Sequence, residues 1–210
     1  MQKEIKIPIN GIQLEGILDI PEGARSIVIF AHGSGSSRHS PRNNFIAKVL
    51  FDEGFATLLF DLLTEEEDED YEMRFNIPLL TERLTKTTEW AMKKEEIKNM
   101  EIGYFGASTG AASALSAAAG FGDKIKAVVS RGGRPDMAMD FLPDVKSPTL
   151  LIVGGWDEPV IDMNEAALAQ LKCEKKIEIV PEATHLFEES GKLEEVAELA
   201  KEWFKKYLSD

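Results

Sequence analysis

The apolar pattern of this chain changes after residue 20, and that change limits the folds open to it more than any other feature. Residues 3–9 (KEIKIPI) and 12–20 (IQLEGILDI) alternate apolar and polar around Asn10-Gly11. That dipeptide tolerates the positive φ angles of a two-residue hairpin turn, so the spacing predicts an antiparallel pair. From residue 26 the alternation gives way to short continuous apolar runs at 26–31, 55–60, 101–105, 125–130, 149–153 and 176–180. Such runs suit strands covered on both faces of a parallel sheet. Segments 42–53, 78–95, 109–119, 162–171 and 192–208 carry apolar residues at three- and four-residue spacing, which predicts helices. In the last, Leu193, Val196, Leu199, Ala200, Trp203, Phe204 and Tyr207 make a stripe broad enough to lie on a sheet. A hairpin followed by alternating strands and helices predicts an α/β fold with an eight-stranded, mostly parallel sheet and helices on both faces. No internal repeat and no Gly/Ser/Pro-rich linker divides the chain, so residues 1–210 are expected to form one domain.

Composition narrows the function classes. A chain of 210 residues buries about 70% of its extended surface and needs no covalent staple. The lone Cys173 cannot form an internal disulfide, and three histidines with one cysteine leave little for a zinc site, so no metal and no cofactor are expected. A net charge of -13 repels phosphate backbones and anionic lipid, which argues against nucleic acid and membrane as partners. The first twenty residues lack the apolar stretch of a signal peptide and no run of 18 apolar residues occurs, so a cytoplasmic location is expected. The acid run Glu65-Glu66-Glu67-Asp68-Glu69-Asp70 reads as a solvated, mobile loop, because a calcium loop would need alternating ligands and a turn glycine.

Chemistry enters at Gly106-Ala107-Ser108-Thr109-Gly110, between a predicted strand and a small-residue helix. G-x-S-x-G in that setting is a nucleophile elbow, a turn so tight that its flanking positions must lack side chains. Elbows of this kind take their acid and then their histidine from later in the chain. Of His32, His39 and His185, only His185 follows Ser108, in a loop after the last predicted strand. Asp157 ends the run Gly154-Gly155-Trp156-Asp157 and is the candidate to hold the imidazole tautomer. Glu158 is a rival acid, and Asp162 a weaker one that looks like the N-cap of the next helix. An oxyanion needs two donors: the Thr109 N–H, and an amide from the loop His32-Gly33-Ser34-Gly35, with Ser34 preferred over Gly35. His32 reads as a buried structural histidine bonding loop carbonyls. That loop lacks both glycine spacings of a phosphate cradle.

Taken together, Ala31-His32-Gly33, Gly106-Ala107-Ser108-Thr109-Gly110, Gly154-Gly155-Trp156-Asp157 and Thr184-His185 resemble α/β-hydrolases of the dienelactone-hydrolase-like group over nearly the whole chain. The loops 36–43 and 130–135 are similar to a small bacterial subgroup sometimes fused to phosphoribosyltransferase domains, and no such domain is present here. The resemblance implies the α/β-hydrolase fold and cleavage of a small ester by Ser108, His185 and Asp157. Thioesterase or acyltransferase chemistry with the same residues, or a non-catalytic binding protein on the same fold, are the alternatives. Dienelactone hydrolases proper use cysteine as nucleophile; here serine holds that place and Cys173 falls at a predicted helix end. The segment 131–147 is too short for a large lid. Arg38, Arg42, Arg131 and Arg134 are candidates to bind an anionic acyl or leaving group, with pairing to the chain's surplus acids as the competing role. Trp156 and Phe187, each next to a candidate catalytic residue, can line a pocket or simply pack in the core.

Overall fold

The computed structural model describes residues 3–208. Asn10-Gly11 turns the chain between β1 (Lys3–Ile9) and β2 (Ile12–Asp19), with Asn10 at φ 46° and Gly11 at φ 88°. The strands that follow are β3 (Ser26–Ala31), β4 (Ala56–Phe60), β5 (Glu101–Ala107), β6 (Ile125–Arg131), β7 (Thr149–Gly154) and β8 (Lys175–Val180). They form one eight-stranded sheet in the order β1-β2-β4-β3-β5-β6-β7-β8. β2 runs antiparallel to both β1 and β4, and every other pairing is parallel. This is the expected architecture, and no lid covers it among the described residues.

Helices α1 (Pro41–Asp52) and α6 (Lys192–Leu208) cover one face of the sheet; α3 (Ile77–Ala91), α4 (Thr109–Phe121) and α5 (Glu158–Gln170) cover the other. The inner strands carry the consequence. β3 and β4 are buried at every residue, and along β5 the side chains alternate between two cores, Tyr104 against Thr88 of α3 and Phe105 against Phe30 on the α6 side. The Tyr104 hydroxyl lies 2.7 Å from Thr88 Oγ1, which satisfies a phenol whose burial pushes its pKa upward. β8 departs from the buried-strand reading. As the sheet's last strand it is half exposed, with Lys175 donating to the carbonyls of Leu168 and Leu171 at the end of α5 and Lys176 paired with Glu178.

Five local expectations are corrected. The acid run is no mobile loop: residues Glu65–Glu69 form a short helix, α2. Thr64 caps it, accepting from Glu67 N–H at 3.2 Å while Glu67 accepts from Thr64 N–H at 2.9 Å. Acids in a first turn also suit the helix dipole, and two of them are anchored, Glu67 to Arg83 and Asp68 to Arg74. α3 stops at Ala91, before the expected end at 95. α5 starts four residues early because Pro159 sits in its first turn, where a missing N–H costs nothing. Asp162 is therefore inside the helix and caps nothing, and Cys173 lies in the connection from α5 to β8 rather than in a helix.

The C-terminal helix shows what holds the α6 face together. Val196, Ala197, Ala200, Trp203, Phe204 and Leu208 are its buried stripe, and the Phe204 ring packs 6.4 Å from that of Phe55. Truncating a fully buried phenylalanine removes its transfer energy and leaves a cavity. Phe204→Ala is expected to lower the unfolding free energy by about 3–5 kcal/mol, read by urea denaturation.

Candidate active site

β5 ends at Ala107 and α4 begins at Thr109, so Ser108 alone makes the turn. It does so at φ 50°, ψ -123°, a backbone conformation that costs a side-chain-bearing residue about 1–3 kcal/mol. Three backbone bonds hold it there. Ser108 N–H donates to Arg131 O at 3.2 Å, and Ser108 O accepts from Ala111 N–H at 3.1 Å and Arg134 N–H at 3.0 Å. The two motif glycines are steric necessities. A Cβ on Gly110 would fall 2.2 Å from Ala31 O, and one on Gly106 would fall 2.5 Å from Ala111 Cα. The start of α4 is thus wedged against the end of β3.

Asp157 and His185 come from adjacent loops at the same, carboxyl-terminal edge of the sheet. Gly155 N–H donates to Val180 O at 2.8 Å and Trp156 N–H to Ala183 O at 2.9 Å, lacing the two loops together. Asp157 occupies the N-cap position of α5 but caps nothing. Its Oδ2 lies 2.7 Å from His185 Nδ1. A proton on Nδ1, donated to the carboxylate, leaves the Nε2 lone pair free to accept one. The His185 loop is braced by Glu189, which accepts from Thr184 N–H at 3.1 Å and Thr184 Oγ1 at 2.7 Å. Those bonds, the hydroxyl's above all, hold the Glu189 carboxyl below its ordinary range. The loop also packs on Gly132, whose Cβ position lies 3.4 Å from His185 Cε1, one residue beyond the Arg131 carbonyl that takes the Ser108 N–H. Among the described residues, Ser108 Oγ and His185 Nε2 make no hydrogen bond to each other.

The loop after β3 closes the other side of Ser108. A Cβ at Gly33 would lie 2.9 Å from Ser108 Cβ. His32 is buried beneath this loop: Leu62 N–H donates to its Nε2 at 3.0 Å, so its Nδ1 carries the proton and donates to Gly33 O at 2.9 Å. One carbonyl and one amide satisfy the ring, and burial lowers its pKa. Ser34 departs from expectation. Its N–H does not stand open beside the nucleophile but donates to Thr109 Oγ1 at 3.0 Å. A hydroxyl within reach is a better partner for an amide than an empty crevice.

The candidate binding residues separate clearly. Arg38 is held by Asp61 and Glu15, Arg42 by Glu188 at 3.0 Å, and Arg134 by Asp136 at 2.8 Å. Arg131 is different. It is 5% exposed, and among the described residues Nη2 reaches only Asn43 Oδ1 at 3.4 Å and Nε has no partner. Burial, with Arg42 nearby, pushes its pKa down to about 10. Trp156 is 61% exposed, whereas Phe187 is fully buried in the α1/α6 core and lines no surface. Glu158 and Asp162 are exposed and stand apart from His185. The sequence reading missed the Thr109 hydroxyl, the Glu189 brace and the Gly132 contact. All three depend on which loops meet, and only the positive φ need of Gly132 leaves a local trace.

Among the described residues, no cluster of His, Cys, Asp and Glu could hold a metal, and no helix is long and apolar enough to cross a membrane. Residues 14–209 match the family described as "Dienelactone hydrolase family". A Mycobacterium tuberculosis protein named "Putative phosphoribosyl transferase Rv0571c" is 51% identical over 206 residues, 98% of this chain but 46% of that protein, so this chain spans about half of its relative's length. The crystal structure of a dienelactone hydrolase from Anabaena variabilis is 53% identical and covers 99% of this chain and 98% of its own, with a TM-score of 0.97. Est1E from Butyrivibrio proteoclasticus, 21% identical over 99% of each chain, shares the fold with a TM-score of 0.84.

The buried His32 yields a check on this geometry. Its depressed pKa means that the folded state takes up fewer protons than the unfolded chain near and below 6.5, so this residue's contribution to stability falls as pH drops through that value. In an NMR titration the His32 ring is expected to stay neutral where an ordinary histidine is half protonated; a midpoint at or above 6.5 contradicts the described burial.

Proposed function

This chain belongs to the dienelactone hydrolase family, and from that premise we propose that it is a serine hydrolase of small carboxylic esters that works through an acyl-enzyme. The observation that carries the reading is the joint placement of a strained, positive-φ Ser108 and a His185–Asp157 hydrogen bond at one edge of the sheet. Ser108 Oγ attacks the ester carbonyl and its proton passes to His185 Nε2. Asp157 accepts the Nδ1 hydrogen bond and stabilises the imidazolium. The carbonyl oxygen becomes an oxyanion beside the N–H of Thr109, with Ser34 on the facing loop. Collapse expels the alcohol, which takes the proton from His185, and water then repeats the sequence on the acyl group.

The same steps serve a thioester, or an alcohol in place of water, so partition between hydrolysis and acyl transfer is part of the test. We assign the transferase name of the longer M. tuberculosis protein to the portion that this chain does not match. For the substrate, Arg131 is our choice to meet a negative charge, being the one candidate arginine without a carboxylate partner among the described residues. Exposed Trp156, beside Asp157, is our choice for an apolar contact.

Wild-type protein is expected to react with a fluorophosphonate at Ser108 and to release p-nitrophenol from short acyl esters. Ser108→Ala should abolish labelling, and Asp157→Asn should lower kcat by about 10³–10⁴ while the fold survives. Wild-type protein that resists the probe, or a Ser108→Ala variant that still labels, defeats the proposal. Arg131→Met is expected to lower kcat/KM about tenfold for p-nitrophenyl hemisuccinate relative to p-nitrophenyl butyrate, the equivalent of about 1.4 kcal/mol. An equal loss on both esters removes Arg131 from substrate recognition.

A further inference from the structure

We propose that the side-chain hydroxyl of Thr109, rather than the amide of Ser34, gives the second hydrogen bond to the oxyanion. The inference rests on the serine-hydrolase reading and names a catalytic group that the elbow motif does not. Hydrolytic elbows need two donors that converge on one oxygen, one from the residue after the nucleophile and one from the facing loop. Here the facing loop's amide is already spent: Ser34 N–H donates to Thr109 Oγ1 at 3.0 Å. A threonine hydroxyl that accepts one hydrogen bond still has its own hydrogen to give. Thr109 is 2% exposed, and among the described residues no acceptor takes that hydrogen. A buried donor without an acceptor is costly and calls for an explanation, and beside a nucleophile that explanation is a ligand oxygen.

Its position identifies the ligand atom. Thr109 follows Ser108 directly, and its Oγ1 is tied to the loop on which Gly33 lies against Ser108, with a Cβ position 2.9 Å from Ser108 Cβ. The hydroxyl is therefore held between the first turn of α4 and that loop, one residue from the nucleophile and on the same residue as the N–H that starts α4. When the Ser108 Oγ–C bond forms, the serine proton moves to His185 Nε2 and the carbonyl π pair moves onto oxygen. That oxygen then accepts from Thr109 N–H and Thr109 Oγ1–H, with no further bond made or broken. Ser34 acts one step removed. Its N–H polarises Oγ1 and makes the hydroxyl a stronger donor, as in any chain of hydrogen bonds.

Three variants separate the hydroxyl from the amide. Thr109→Val keeps shape and main-chain N–H but removes the donor, and Thr109→Ser restores it. Ser34→Pro removes the loop N–H at the second position of a Gly33–Ser36 turn that has Gly35 at φ 64°, a place where proline is tolerated. With p-nitrophenyl butyrate, Thr109→Val is expected to lose about ten- to a hundredfold in kcat with KM little changed, and to bind a boronic acid transition-state analogue correspondingly more weakly. Thr109→Ser should stay close to wild type, and Ser34→Pro should lose less than Thr109→Val. Thermal melts confirm folding, and Thr109→Ala, which lacks the hydroxyl and adds no bulk, repeats the measurement where the valine variant melts early. A Thr109→Val variant as fast as wild type, or a Ser34→Pro variant slower than Thr109→Val, overturns the inference and returns the role to the Ser34 amide. Wild-type protein inert to both esters and fluorophosphonate overturns the hydrolase reading itself.

Discussion

Everything at the site depends on one close approach, that of the first turn of α4 to the end of β3. Gly110 faces the carbonyls of Ala31 and His32 with no room for a methyl group, the hypothetical Cβ lying 2.2 and 2.5 Å from them. This contact lets the chain leave β5 and enter α4 through a single residue, and so it is the reason Ser108 sits at positive φ. The strain is not relieved locally. It is held by bonds from the β6 connection, Arg131 O below and Arg134 N–H above, so the turn is fixed by a neighbouring strand as much as by its own sequence. A looser contact at Gly110 would let Ser108 relax, and its hydroxyl would leave the sheet edge where Asp157 and His185 meet.

The opposite half of the site is rigid for a different reason. Glu182 and Phe187 also stand at positive φ, 55° and 56°, but what joins this half of the site is that its two loops share backbone hydrogen bonds. Gly154 lies so near the carbonyls of Ala183 and Thr184 that a Cβ would fall 2.4 and 2.6 Å from them, and the amides of residues 155 and 156 donate across the gap. Asp157 and His185 are thereby fixed relative to each other before their side chains meet. Glu189 and the Arg42–Glu188 pair tie the histidine loop to its own turn and to α1. Surface pairs of this kind contribute little stability, so their value here is orientation.

Much of this was legible in the sequence where a local rule applies. Asn10-Gly11, the apolar runs and the small residues of the elbow each name a backbone conformation by themselves. The elimination of His32 and His39 by chain order placed His185, and its bond to Asp157 follows that order. Illegible were features that depend on what lies opposite in space. The 65–70 acids read as loop because six like charges repel, yet Thr64 caps them and Arg83 and Arg74, from elements later in the chain, neutralise two of them. Phe187 read as pocket lining or core from its place near His185, and only the fold shows it buried in the α1/α6 core. The arginines needed partners to be interpreted, and three of the four found acids.

These corrections bear on the chemistry of the site. α2 is anchored through Glu67 to Arg83 on α3 and through Asp68 to Arg74, and Arg74 in turn lies 3.6 Å from the Cβ position of Gly35. The acid run is thus a buttress behind the loop that carries Gly33 and Ser34. His32 supports the same loop from beneath, and must stay neutral to do so, because its Nε2 accepts the Leu62 amide. A loop braced from two sides cannot swing freely to offer its own amide to a substrate. A group already oriented on the rigid α4 side, the Thr109 hydroxyl with its hydrogen unspent, needs no such movement. Preorganised donors gain their advantage in catalysis by avoiding reorganisation as charge develops.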